Sequence, residues 1–133
     1  MKILTATEFK LAAKFIDGEY VMRADAVFDS AEPLKVKTLE VDVTDNEDGL
    51  TFRLDGPGDA DLTVTGRGNV HAIRSGSGKG DATRAGSGKG NATRSGTGYG
   101  SAWRLGSGDG DAIKRGDSTG SAIRRGSGSG YAL

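Results

Sequence analysis

The sequence predicts a mostly β protein: a β-solenoid of ten-residue, glycine-rich repeats over residues 51–133, covered at one end by a small N-terminal β or α+β segment, residues 1–50. Three observations predict it. From His71 the chain reads HAIRSGSGKG, DATRAGSGKG, NATRSGTGYG, SAWRLGSGDG, DAIKRGDSTG, SAIRRGSGSG and YAL, and a constant period over many copies marks units that stack on one another. Ten is an even number, so the side-chain alternation of a strand never loses phase. Glycine, 23 of 133 residues, far exceeds its ordinary share of roughly 7%, which leaves the array too few large side chains for a core of the usual kind.

Within the repeat, the second position is always alanine, from Ala72 to Ala132. The fourth is always basic: Arg74, Arg84, Arg94, Arg104, Lys114 and Arg124. The sixth and tenth are always glycine, and the eighth is glycine except at Ser118. The same parity reaches back through Phe52, Leu54, Gly56, Ala60, Leu62, Val64, Gly66 and Val70, so the array grows out of a conventional strand region. Glycine inside strands marks close approach of another backbone. The expectation is therefore two β-layers pressed closer than the usual roughly 10 Å. Ten residues span about 33 Å of extended chain, enough for one flat coil of two short strands or for half of a wider coil made from two repeats. Rungs would stack about 4.8 Å apart. A meander of short hairpins competes with this reading; a disordered linker has no reason to hold Ala and Arg in register.

Residues 1–50 supply most of the large apolar side chains. Residues 7–17 fit a helix with Thr7 as N-cap and Gly18 just past its end, yet Phe9, Leu11, Ala13 and Phe15 also alternate as a strand would. Strands are expected over residues 19–28 and 34–43, followed by a turn at 45–49 leading into Leu50–Leu54. A solenoid needs its first rung covered, and that is the role expected of this segment.

The chain has no cysteine, which excludes disulfides and thiolate metal sites. Met1–Thr5 opens no long apolar run, so neither a secretory signal nor a membrane span is expected, and cytoplasmic residence follows. The formal net charge is zero, with 18 Lys/Arg against 18 Asp/Glu. Residues 1–70 carry 8 basic and 14 acidic side chains; residues 71–133 carry 10 basic and 4 acidic. A basic half of this kind points to a polyanionic partner, and attraction between the halves is the plainer explanation.

Catalytic motifs fail their tests. Gly76-Ser77-Gly78-Lys79-Gly80 imitates a phosphate-cradling loop but lacks the spacing and the following helix. The column His71, Asp81, Asn91, Ser101, Asp111 and Ser121 is too poor in carboxylates for calcium. It reads as a ladder of short side chains bonded to backbone between rungs. His71, the single histidine, has no partner set for a metal or a nucleophile. Asp45, Glu47 and Asp48 read as turn chemistry. No enzyme and no cofactor are expected.

The basic column is the leading binding candidate. Arg74, Arg84, Arg94, Arg104, Lys114 and Arg124 would align one rung apart, a repulsive arrangement that phosphates, an acidic surface or the chain's own carbonyls would have to offset. A corner position with guanidiniums on loop carbonyls is the competing structural reading. Lys79, Lys89, Arg115 and Arg125 widen the basic character, and Tyr99 and Trp103 interleave aromatics as single-stranded nucleic-acid surfaces do. A hydroxyl column, Ser77, Ser87, Thr97, Ser107 and Ser127, would suit an ice-binding surface.

The phrase Gly-x-Gly-x-Gly-Asp-Ala-x-Arg, as in Gly76 to Arg84, resembles short glycine-rich decapeptide-repeat accessory proteins of temperate bacteriophages and prophages, over residues 66–133. The resemblance implies a small phage accessory protein in a bacterial cytoplasm, of a kind that often blocks host defence machinery, including CRISPR complexes, by direct binding. The expected function is thus a non-catalytic interaction protein whose basic surface meets a nucleic acid, a host protein or a nucleoprotein complex. The alternative is a structural array, a particle component or ice-binding surface, with no polyanionic partner.

Overall fold

A computed structural model describes residues 2–23, 37–43, 48–57, 59–115 and 120–132. It is a β-solenoid. The elements in chain order are β1 (Lys2–Thr5), α1 (Ala6–Ala12), β2 (Lys14–Ile16), β3 (Glu19–Arg23), β4 (Lys37–Val43), β5 (Asp48–Asp55), β6 (Ala60–Gly66) and β7 (Asn69–Arg74). Five three-residue strands follow: β8 (Ala82–Arg84), β9 (Ala92–Arg94), β10 (Ala102–Arg104), β11 (Ala112–Lys114) and β12 (Ala122–Arg124).

The strands form two six-stranded sheets, ordered β1-β4-β6-β8-β10-β12 and β11-β9-β7-β5-β3-β2. All pairings are parallel except the hairpin of β2 with β3. In the array each residue faces the one twenty positions on: Ala82 pairs with Ala102 and Ala102 with Ala122, while Ala72 pairs with Ala92 and Ala92 with Ala112. One coil is therefore two repeats, the wider of the two coils the sequence allowed. Successive repeats alternate between sheets, and their glycine-rich loops alternate between the two edges of the solenoid.

The expected parity governs the interior. Leu39, Leu62, Ala82 and Ala102 form one inward column, and Val41, Val64, Arg84 and Arg104 the next. The opposite sheet contributes Phe52, Ala72, Ala92 and Ala112, then Leu54, Arg74, Arg94 and Lys114. Large apolar side chains thus give way to alanine as the coils advance. Glycine at the tenth position admits the close rung that this requires. At Gly90, where φ is +143°, an added Cβ would run into the Val70 carbonyl.

The N-terminal cover combines both readings of residues 7–17. The helix starts earlier than expected: Thr5, not Thr7, is its N-cap. Thr5 Oγ1 accepts from Glu8 N at 3.1 Å, and Glu8 Oε1 accepts from Thr5 N at 3.0 Å, a reciprocal capping box. The helix also ends earlier, at Ala12, because Ala13 is extended (φ −84°, ψ 160°). The chain then enters β2 and turns at Asp17-Gly18, both at positive φ (51° and 82°), the backbone a tight two-residue hairpin requires. α1 buries Phe9 over the end of the solenoid, its ring 4.7 Å from that of Phe52. Of the other expected strands, 19–23 and 37–43 are formed; residues 24–28 and 34–36, and most of the turn at 45–49, lie outside the described residues.

Candidate interaction surface

The four arginines proposed to line a binding surface, Arg74, Arg84, Arg94 and Arg104, are inside the protein, each 0% exposed. They do not present a basic column to a partner. Each sits at the end of its strand and turns its guanidinium into the adjoining glycine-rich loop, where backbone carbonyls converge. Arg84 donates from Nε to Val70 O at 2.7 Å and from Nη2 to Gly68 O at 3.1 Å and Gly66 O at 3.3 Å, with Nη1 on Ala85 O. Arg74 is held likewise by Ala60 O at 2.7 Å, Leu54 O at 3.3 Å and Ser75 O. Arg94 reaches Gly78 O at 2.6 Å and Arg74 O at 3.1 Å; Arg104 reaches Gly88 O at 2.6 Å and Arg84 O at 3.0 Å.

Five donors in a fixed plane suit this task. The loop carbonyls cannot all join the sheet ladders, and a buried carbonyl without a donor costs about 1–3 kcal/mol. Burial, and then the next arginine in the stack, pull Arg74 and Arg84 down to about 10, so both remain charged at neutral pH. Because one coil is two repeats, the column divides into two stacks at opposite edges: Arg74, Arg94 and Lys114, and Arg84, Arg104 and Arg124. Lys114 and Arg124 are half-buried, and Arg124 still donates to Gly110 O at 3.0 Å and Gly108 O at 3.1 Å.

The polar ladder is present as expected. Asp81 N donates to Asp61 Oδ1 at 2.7 Å, Ser101 N to Asp81 Oδ1 at 2.8 Å and Ser121 N to Ser101 Oγ at 3.1 Å. On the other sheet Asn91 N donates to His71 Nδ1 at 3.0 Å, Asp111 N to Asn91 Oδ1 at 2.9 Å and Tyr131 N to Asp111 Oδ1 at 2.8 Å. His71 therefore holds its proton on Nε2 when neutral. Burial, and secondarily Arg84, lower its pKa. Asp61 is raised, chiefly by burial. An open trough of about 680 Å³ runs beside this second ladder, between Lys89, Asp109 and Ser129 and the column of His71, Asn91 and Asp111.

The remaining sequence candidates reach solvent. Lys79, Lys89 and Tyr99 are exposed and Trp103 is half-buried. Three of them belong to one face, the outer side of the sheet holding β8, β10 and β12. There Lys79 Nζ lies 5.9 Å from the centre of the Tyr99 ring, and Trp103 Nε1 donates to Asp81 Oδ2 at 3.2 Å. Arg125, expected to widen the basic character, stands 5.8 Å from the Trp103 ring. Lys89 follows the other sheet. The hydroxyl column also divides, with Ser77 and Thr97 on one edge and Ser87, Ser107 and Ser127 on the other, so no single hydroxyl row exists.

Among the described residues, no three His, Asp or Glu side chains converge as a metal site, and no helix is long and apolar enough to cross a membrane. No protein-family model matches the chain, and no curated protein or solved structure is similar to it.

Proposed function

We propose that this chain is a non-catalytic interaction protein whose array binds a nucleic acid or nucleoprotein complex through the face that carries Lys79, Tyr99, Trp103 and Arg125. One observation carries the reading: on this face each of the two aromatics has a cation within 6 Å of its ring. Aromatic faces accept bases by stacking, and neighbouring cations meet the phosphates. Burial of four arginines leaves six basic side chains against four aspartates in residues 71–133. The contact is therefore a local aromatic–basic patch, and its affinity falls steeply with salt. Binding of this kind suits a phage accessory protein that occupies a host defence complex in the bacterial cytoplasm.

Trp103 is the single tryptophan, so its fluorescence reports directly on the patch. Titration with single-stranded DNA and RNA at low salt should quench it. Trp103→Thr, which installs the residue found one rung earlier at Thr83, together with Tyr99→Ser should abolish binding of a labelled oligonucleotide while leaving the β-rich circular dichroism unchanged. Absence of quenching, joined to a low-salt pull-down from bacterial lysate that retains no nucleoprotein, would sink the proposal.

A further inference from the structure

The open trough of about 680 Å³ lies along the sheet that holds β7, β9 and β11, not the one that holds Trp103. Its volume falls within the roughly 300–1,000 Å³ of small-molecule sites. The floor is backbone. Gly90 and Gly110 separate the outward residues on either side, and the amides of Val70, Gly90 and Gly110 donate to Lys89 O, Asp109 O and Ser129 O at 2.9–3.0 Å. One wall is the polar ladder of His71, Asn91 and Asp111 with the Tyr131 ring; Lys89 and Asp109 stand on the other. Residues twenty apart stack, so the ladder wall spans three rung steps, about 14 Å at about 4.8 Å each.

The ladder occupies only one polar atom of each of these side chains. His71 Nδ1, Asn91 Oδ1 and Asp111 Oδ1 accept from the backbone of the following coil, as Asp109 Oδ1 does from Ser129 N at 2.8 Å. His71 Nε2, Asn91 Nδ2 and the second oxygens of Asp109 and Asp111 have no hydrogen-bond partner among the described residues, and Lys89 has no ion pair among them. Each side chain is thus anchored by one atom and presents the other already ordered, which lowers the entropy cost of binding. The matching place on the other sheet is filled. There Asp81 Oδ1 accepts from Ser101 N, but Asp81 Oδ2 is taken by Trp103 Nε1 at 3.2 Å, and Lys79 lies against the Tyr99 ring.

The chemistry of the trough selects its ligand. Donors at His71, Asn91 and Lys89 stand beside acceptors at Asp109 and Asp111, and a sugar hydroxyl does both tasks at once. The Tyr131 ring, 72% exposed, is a flat apolar body with a polar tip, on which the C–H face of a sugar ring can lie. Two carboxylates against one ammonium disfavour a phosphate chain. The amides of the floor are already bonded, so a peptide cannot add there as a strand. We propose that this trough binds an uncharged oligosaccharide, its hydroxyls bonded to Asn91, Asp109 and Asp111 and one ring stacked on Tyr131. The site stands apart from the aromatic–basic face and does not depend on what that face binds.

The test is an NMR titration of the isotope-labelled full chain with cellohexaose, maltohexaose, mannohexaose and N-acetylated chitohexaose, each to millimolar concentration. The expected result is saturable shifts of the amides of residues 89–91, 109–111 and 129–131 with at least one of these sugars. Asp111→Asn keeps the ladder acceptor, as Asn91 does one rung earlier, and turns the trough acceptor into a donor. It and Tyr131→Ala should each weaken binding by roughly tenfold or more, with circular dichroism unchanged. A flat titration with every sugar overturns the proposal, as do shifts confined to other residues or binding that both substitutions leave intact. Shifts of the same amides by single-stranded DNA, with none by the sugars, overturn it equally.

Discussion

The first coils and the later ones build one solenoid by two different means. Around β4 to β7 the space between the sheets holds Leu39, Val41, Val43, Phe52, Leu54, Leu62 and Val64, all 0% exposed, and burial of each such side chain contributes about 1.5–3 kcal/mol. From β8 onward the same columns hold only alanine, arginine and, at Lys114, lysine. Apolar burial per rung drops sharply, and cohesion passes to rung-to-rung backbone bonds, the Asp/Asn/Ser ladder and guanidiniums that satisfy the loop carbonyls. The two meet without a break in register: Leu62 pairs with Ala82 and Val64 with Arg84. A solenoid can thus exchange an apolar core for a hydrogen-bonded one, provided every buried carbonyl finds a donor.

The sharpest way to break that comparison is to remove one donor. Arg94→Ala takes the guanidinium donors from the carbonyls of Gly78 and Ser95, while Arg74 O keeps the Ser95 N–H at 3.0 Å. At about 1–3 kcal/mol for each buried group left unpaired, the variant should lose about 2–6 kcal/mol in chemical denaturation. Arg124→Ala, half-buried at the end of the stack, should lose clearly less. Equal losses at the two positions would mean that the cages do not depend on burial.

A milder exchange tests packing. Leu62→Ala leaves a cavity in the apolar coils and should cost about 2–5 kcal/mol. The reverse change two rungs on, Ala102→Leu, places extra methylenes in a fully buried alanine column and should cost about 1–3 kcal/mol by overpacking. If Ala102→Leu stabilised the protein, the array would have spare room between its sheets.

The smallest effect concerns the joint between the two regimes. His71 is the first rung of its ladder in the array, and its lowered pKa favours the neutral form in the folded state. Its contribution is present above its ordinary value of 6.5 and is lost as pH falls below that value toward its folded pKa. His71→Asn, which copies Asn91 in the same column, should keep the ladder bond and remove this loss. The stability difference between the two proteins should therefore shift in the variant's favour between pH 7 and pH 5, by under about 1 kcal/mol. Asp61, raised from 3.8, acts in the opposite sense at lower pH and is common to both. A constant difference across that range would show that His71 does not titrate with folding.

Much of this was legible in the residues. Period and parity identified the inward alanines, the stacking glycines and the ladder through Asp81, Asn91 and Asp111, because each is a statement about strand alternation or a short side chain reaching backbone. The helix boundary was missed through choosing Thr7 over Thr5. The capping box needs Glu8 three residues after its cap, and that spacing was the available signal. Asp17-Gly18 fits a helix end in that pattern, yet the same pair is a strong hairpin turn. The arginines were the costly ambiguity. Their parity put them on the alanine side, which favoured burial, while their charge favoured solvent.

The sequence by itself determined that a register exists and which residues face inward, since a ten-residue period with even parity fixes both locally. It did not determine that two repeats make one coil. Ten residues can close a small turn or span one side of a larger one, and only pairing between residues twenty apart chooses. That choice decided the rest: it sent neighbouring repeats to opposite sheets, divided the basic and hydroxyl columns between two edges, and brought carbonyls from successive coils around each guanidinium. Lys79, Tyr99, Trp103 and Arg125 share a face for the same reason, because a long-range backbone pairing, absent from any local pattern, set them on adjacent rungs.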